Sequence, residues 1–193
     1  MKSETLATKL NYTKAYQKTR LEVAQWVLNY PETFPDLLQH CFKTEEDISY
    51  KAAWILEFVC AERLVLLLPH LKMFLENISK AHKDQAVRPF SKICLMLAEN
   101  CYKKKNVEVI KVLNKKFKNT ITECCFDWLI TNQKVACYAF SMRTLFFLGT
   151  ETDWIHPELK IIIEQNIAHL SAAYKAQGRQ ILIKIQKFSS KQI

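Results

Sequence analysis

Four stretches of this chain share a pattern at offsets 0, +4, +7, +10 and +11, apolar or small at every position but one, and the spacing places all five on one face of a helix. The first is Ile48, Ala52, Ile55, Phe58, Val59; the second is Val87, Ser91, Cys94, Leu97, Ala98. The third is Val135, Ala139, Met142, Leu145, Phe146, and the fourth is Ala172, Ala176, Arg179, Leu182, Ile183. A small residue always stands second, where a neighbouring helix can approach closely. The starts lie 39, 48 and 37 residues apart. A helix this apolar on one face buries it only against a neighbour, so the chain must stack helices in register.

Spacings near forty residues suit the helix pairs of HEAT and armadillo repeats, whose period is about 40 to 47. A second echo supports hairpins as the unit. Pro69, Leu71, Lys72 and Glu76 follow the first ladder, and Pro157, Leu159, Lys160 and Glu164 follow the third at identical spacing. The expected fold is therefore all-α, a HEAT/armadillo-like right-handed superhelix of about four to five antiparallel helix pairs. One domain, 1–193, is expected, with an N-terminal cap helix over 1–17 and a frayed tail over 188–193. The periodicity predicts helices over 4–17, 19–30, 33–43, 46–60, 62–81, 84–102, 106–118, 119–131, 133–148, 156–168 and 170–187. In the fourth ladder Arg179 takes a core offset and Gly178 weakens the helix interior, as in a terminal capping repeat with one wet face. Gly149 after Leu148 is read as closing one helix, and Asp153 as capping the next.

With only Gly149 and Gly178 among 193 residues, the chain has little material for hairpin turns or phosphate-cradling loops. No dinucleotide, P-loop, HExxH or GxSxG motif occurs. His40 beside Cys41 and the adjacent Cys124 and Cys125 make no metal site, since neighbouring helical residues point about 100° apart. No metal and no cofactor are expected. Glu123 and Asp127 share a helix face beside Trp128 and read as a solvated acidic pair. The seven cysteines form no CxxC pair and read as reduced core residues. No segment is apolar enough for a signal peptide or a membrane span, so the expected location is cytoplasmic.

Net charge is +9, unevenly placed: 101–119 holds seven lysines against Glu108, and 170–193 holds five basic residues and no acid. Offsets +1, +5, +8 and +12 form a stripe bordering the ladder, occupied in its last three copies by Arg88, Lys92, Arg143 and Lys184. These four are the candidate interaction surface. Such a stripe suits phosphates or an acidic protein segment. Lys103 to Lys118 surround Val109, Ile110, Leu113 and Phe117, a basic amphipathic segment whose apolar edge is expected to pack inward, with membrane-surface binding as the alternative.

The segments SYKAAWILEFVC (49–60), VRPFSKIC (87–94), CCFDWLI (124–130), AFSMRTLFFLG (140–149), WIHPEL (154–159) and SAAYKA (171–176) resemble a family of short bacterial helical-repeat proteins often labelled adenylosuccinate lyase. The resemblance runs from about Asn11 to Lys187. It implies the helical-repeat architecture. Members of the lyase superfamily itself carry a GSSxMPxKxNP loop with the catalytic serine; here the only Ser-Ser is Ser189-Ser190, with no Gly before it and no Met-Pro after. No catalytic residue carries over. The expected function is a non-enzymatic interaction module binding a protein or peptide partner, with nucleic-acid binding through the basic stripe second and a lyase third.

Overall fold

A computed structural model describes residues 5–13, 16–81 and 83–191. Eleven α-helices account for most of them, and no strand occurs among the described residues. By backbone proximity the chain divides into two compact units, 1–96 and 97–193.

The first unit is built around α4 (Ile48–Glu62). Packed on it are α1 (Leu6–Tyr12), α2 (Gln17–Asn29) and α3 (Phe34–Cys41). Pro31 and Pro35 begin the turns into α3, where a missing N–H costs nothing. Ala52, Ala53, Ile55, Leu56, Val59 and Cys60 are all buried, so α4 is greasy over more than one face. Phe42, Phe74 and Phe90 close the core with centroids 5.6–6.4 Å apart. Of the expected 1–17 cap helix, residues 6–12 are helical, while 1–4, 14 and 15 lie outside the described residues. Thr13 ends this helix, its hydroxyl donating to the Lys9 carbonyl.

One continuous helix is predicted over 62–81, and the structure breaks it into a 3-10 segment Leu64–His70, α5 (Leu71–Leu75) and a 3-10 turn Ile78–Lys80. Pro69 explains the break, because it has no N–H to donate and crowds the preceding turn. The echoed motif is nonetheless real in three dimensions. Lys72 pairs with Glu76 and Lys160 with Glu164, while Leu71 and Leu159 are both buried. α6 follows (Asp84–Ala98), and all five ladder residues from Val87 to Ala98 are buried.

In the second unit a π-helical turn, Glu99–Lys103, leads to α7 (Val107–Val112), α8 (Lys115–Ile130), α9 (Val135–Leu148), α10 (Ile155–Asn166) and α11 (Ala172–Ser189). Here α9 is the central helix, packed against α8, α10 and α11. The predicted break at 118/119 falls instead at Leu113–Asn114. Asn114 accepts from the Phe117 N–H and Asn106 from those of Glu108 and Val109, so both asparagines are N-caps. Lys118 and Asn119, the expected boundary, lie inside α8. Just before α7, Lys105 adopts φ 54°, a left-handed conformation that costs a non-glycine residue about 1–2 kcal/mol. The Asn106 N–H reaches back to the Asn100 carbonyl there, closing the π turn.

The fourth ladder is corrected by the structure. None of Ala172, Ala176, Arg179, Leu182 and Ile183 is buried; the inward face of α11 is Tyr174, Gly178, Ile181 and Ile185. A shift of two residues turns the helix by about 200°, so the expected face points nearly the opposite way. The true register, 0, +4, +7, +11, recurs as Ser49, Ala53, Leu56, Cys60 on α4 and as Cys137, Ser141, Thr144, Leu148 on α9, every one buried. Gly178 is thus the small second residue of its repeat. A Cβ there would stand 2.9 Å from Ile163 Cγ2, which is why glycine is required and why Arg179 faces solvent.

Gly149 closes α9 as expected, its N–H donating to the Leu145 carbonyl, and serves a second purpose as well. Its φ of −67° is ordinary right-handed backbone, not a left-handed cap. The buried His156 ring lies over it, with Nε2 2.9 Å from the Phe146 carbonyl, and a Cβ would come 2.2 Å from His156 Cδ2. His156 thereby satisfies one of the orphan carbonyls at the end of α9. Asp153 caps nothing, since Trp154 holds the N-cap position without a side-chain bond. α11 reaches Ser189 because Phe188 packs edge-on against His156 at 5.2 Å, which orders the start of the expected frayed tail; 192 and 193 lie outside the described residues.

Candidate functional site

Each unit carries one inward carboxylate met by more cations than it can neutralise. In the first unit that carboxylate is Glu57, buried in the middle of the apolar α4. Arg88 Nη2 donates to Glu57 Oε2 at 2.6 Å, and Lys92 Nζ donates to Oε1 at 2.8 Å. Both donors sit on α6 four residues apart, hence on one face. Arg20 of α2 lies 4.1 Å above the Trp54 ring. Burial lowers the affinity of its guanidinium for the proton, the charge of Arg88 adds to this, and Glu57 opposes both. A buried carboxylate needs partners of this kind, because an isolated charge taken out of water costs several kcal/mol. The outer edges of Arg88 and Lys92 remain about one third exposed.

The second unit repeats the theme with a cavity attached. Arg143 Nη2 of α9 donates to Glu99 Oε1 at 2.5 Å, and Glu99 stands on the π turn. Lys184 of α11 places Nζ 5.8 Å from the centre of the Phe146 ring. Glu99, Lys103, Arg143, Phe146, Phe147, Ile181 and Lys184 line a cleft of 250 Å³. Three cations, one carboxylate and two aromatic rings therefore share one small space. π turns displace side chains from helical register and are frequent at functional sites.

Beside the cleft, Glu151 Oε2 accepts from the Tyr102 hydroxyl at 2.9 Å and from Lys118 Nζ at 2.6 Å. Tyr102 in turn lies parallel to Phe147, with centroids 6.2 Å apart. Burial works against ionisation of Glu151, but the bonds from Lys118 and Tyr102 and the charge of Lys118 outweigh it and hold the carboxyl below its ordinary range. Burial and the bond to Glu151 push the Tyr102 hydroxyl far up, so it stays a proton donor.

A family model described as HEAT repeat domain matches residues 6–185. The chain belongs to the HEAT repeat domain family. No curated protein and no solved structure matches it.

Within this HEAT repeat protein the four candidate stripe residues are accounted for one by one. Arg88 and Lys92 share Glu57, Arg143 holds Glu99, and Lys184 lies over Phe146. The register correction removes the helical-wheel reason for aligning Arg143 with Lys184, yet packing of α9 on α11 brings both to one cleft. Glu57 and Glu99 were not singled out from sequence. The signal for Glu57 was available, since it is the one charge inside the apolar run from Ala52 to Ala61.

The remaining chemical candidates are inert by geometry. All seven thiols are free and buried. Burial pushes Cys41, Cys60 and Cys125 far above the ordinary thiol range, and Cys124 to about 12. Burial of these four disfavours the thiolate, which is the reactive form. Among the described residues no group of three or more metal-ligating side chains gathers at one place. Glu123 and Asp127 are exposed, and Trp128 beside them is core. Ser189 and Ser190 are exposed at the end of α11, each hydroxyl donating to a carbonyl of the preceding turn.

Proposed function

We propose that this HEAT repeat protein is a non-enzymatic interaction module that takes an acidic segment of a protein or peptide partner at the cleft between α9 and α11. The observation carrying this reading is the composition of that 250 Å³ cleft: Lys103, Arg143 and Lys184 against Glu99 alone, over Phe146 and Phe147. A partner carboxylate there completes the unbalanced charge, while an adjoining apolar side chain covers the rings. Charge-assisted bonds of this kind contribute about 1.5–3 kcal/mol each, and the cleft has room for a side chain or two. The reading carries a cytoplasmic location, supported by seven buried reduced thiols and by no described helix being long and apolar enough to cross a membrane.

Selection from a displayed random-peptide library tests it. Peptides with Asp or Glu next to an aromatic or large aliphatic residue are expected, and Arg143→Ala with Lys184→Ala weakens them about tenfold or more. Equal binding by that double variant overturns the assignment of the site.

Nucleic-acid binding through Arg88, Lys92, Arg143 and Lys184 has weaker support, because three of the four already hold carboxylates. Affinity for duplex DNA falling steeply with salt and lost in Arg143→Glu is the result that carries it. A lyase activity is the third reading, and release of fumarate from adenylosuccinate by the pure protein is the measurement that decides it.

A further inference from the structure

The most charged segment of the chain lies outside the cleft except for Lys103, which borders it. Lys103, Lys104, Lys105, Lys111, Lys115 and Lys116 are all exposed on the π turn, α7 and the start of α8, against the single exposed acid Glu108. None of the six forms an ion pair among the described residues. In their midst α7 turns two branched apolar side chains outward, Val107 at 62% exposure and Ile110 at 45%. Val107, Ile110 and Lys111 share one face at i, i+3, i+4, while Val109 and Leu113 on the other side are buried and anchor the segment. The sequence pattern leads one to expect the apolar edge packed inward. Only half of it is.

The backbone adds a second observation. Lys105 is the one non-glycine residue at positive φ among those described, at the position of a helix C-terminus where glycine is the ordinary occupant. Lysine stands there despite the conformational cost. Such outliers concentrate where function maintains them.

We propose that this lysine-ringed tip docks the protein on an anionic lipid bilayer, with Val107 and Ile110 entering the headgroup boundary and the lysines meeting lipid phosphates. Charge complementarity selects an anionic surface. The two protruding aliphatic side chains select a bilayer over a nucleic acid, because they gain nothing from a hydrated phosphate backbone and lose water-exposed area on entering acyl chains. The attachment is peripheral and salt-sensitive, as polybasic segments at anionic leaflets are. It does not rest on the peptide-binding reading: Lys103 borders both surfaces, but Lys104 and Lys111 are mutable apart from Arg143 and Lys184.

Co-sedimentation of the full chain with vesicles of equimolar phosphatidylcholine and phosphatidylglycerol, against pure phosphatidylcholine, tests the proposal. Binding to the anionic vesicles only is expected, weakening about fivefold for each of Lys104→Ala and Lys111→Ala. Val107→Ser with Ile110→Ser lowers binding at constant charge. Lys187→Ala with Lys191→Ala, the charge loss of those two variants combined but placed at and just past the end of α11, leaves it nearly unchanged. Lys105→Gly raises the melting temperature by relieving the left-handed strain and still weakens vesicle binding, so loss of binding there cannot be loss of fold. No sedimentation at low salt, equal sensitivity to the α11 lysines, or insensitivity to Val107→Ser with Ile110→Ser overturns it. Tighter binding to duplex DNA, with the apolar pair irrelevant, does the same.

Discussion

At Gly178 two opposing effects of one methyl group meet. Alanine gains about 1 kcal/mol of helix propensity over glycine, but its Cβ would press on Ile163 Cγ2 at 2.9 Å, a stiff β-branched methyl buried between α10 and α11. Overpacking of this kind costs about 1–3 kcal/mol, so Gly178→Ala is expected to lower the melting temperature and Gly178→Val to lower it much further. A higher melting temperature for the alanine variant would show the helices free to separate. Gly149→Ala is harsher, since the new Cβ displaces the His156 ring and the Phe146 carbonyl loses its partner. A loss of about 2 kcal/mol or more is expected, and Gly149→Ala with His156→Ala together should cost less than the sum, because either change alone already empties the contact. Glu57 is the third such residue. Glu57→Leu removes the buried charge along with the need for its partners, whereas Arg88→Met leaves Glu57 with Lys92 alone; urea unfolding should therefore show Arg88→Met as the more destabilising variant.

At the scale of elements the joint between the π turn, α8 and the loop after α9 is held by Tyr102, Lys118 and Glu151. Because the Glu151 carboxyl is held below its ordinary range in the fold, its contribution is present above the unfolded value near 4.3 and is lost as pH falls through the depressed folded value. Glu151→Gln should lower stability modestly at neutral pH, given that its side chain is half exposed, and leave it little changed at low pH, so that the acid limb below about pH 4.5 becomes flatter. An unchanged acid limb would mean the bonds from Tyr102 and Lys118 do not persist in solution. Element boundaries followed local chemistry that is easy to see once sought: Asn106 and Asn114 as caps, and Pro69 as a breaker. The helix centres were legible from the 3.6-residue period, because burial of one face repeats along the chain. The ends were less so, because polar caps and polar surface turns look alike in composition.

For the whole molecule, the seven cysteines give a reading of stability that needs no engineered probe. Three lie in residues 1–96 and four in 97–193, all buried. A thiol reagent should leave the native protein essentially unlabelled and modify all seven on denaturation, with native-state rates set by local opening. Fast labelling of any single cysteine in native buffer would mark a place where the packing described above is not maintained.

The amino-acid sequence alone determined that this is an all-α chain of forty-residue helical repeats, because amphipathic periodicity and the near-absence of glycine leave no other way to bury half its residues. It also located the basic segments, since charge is written residue by residue. Tertiary structure decided the rest. Which face of α11 turns inward depended on the close approach at Gly178, and periodicity cannot tell a small residue that admits a neighbour from one that merely lies on a wet face. Which cations are already matched depended on Glu57 and Glu99, reached across helices far apart in the chain. Whether Val107 and Ile110 were core or tip was decided by the anchoring of Val109 and Leu113, because a six-residue helix can bury only one of its sides.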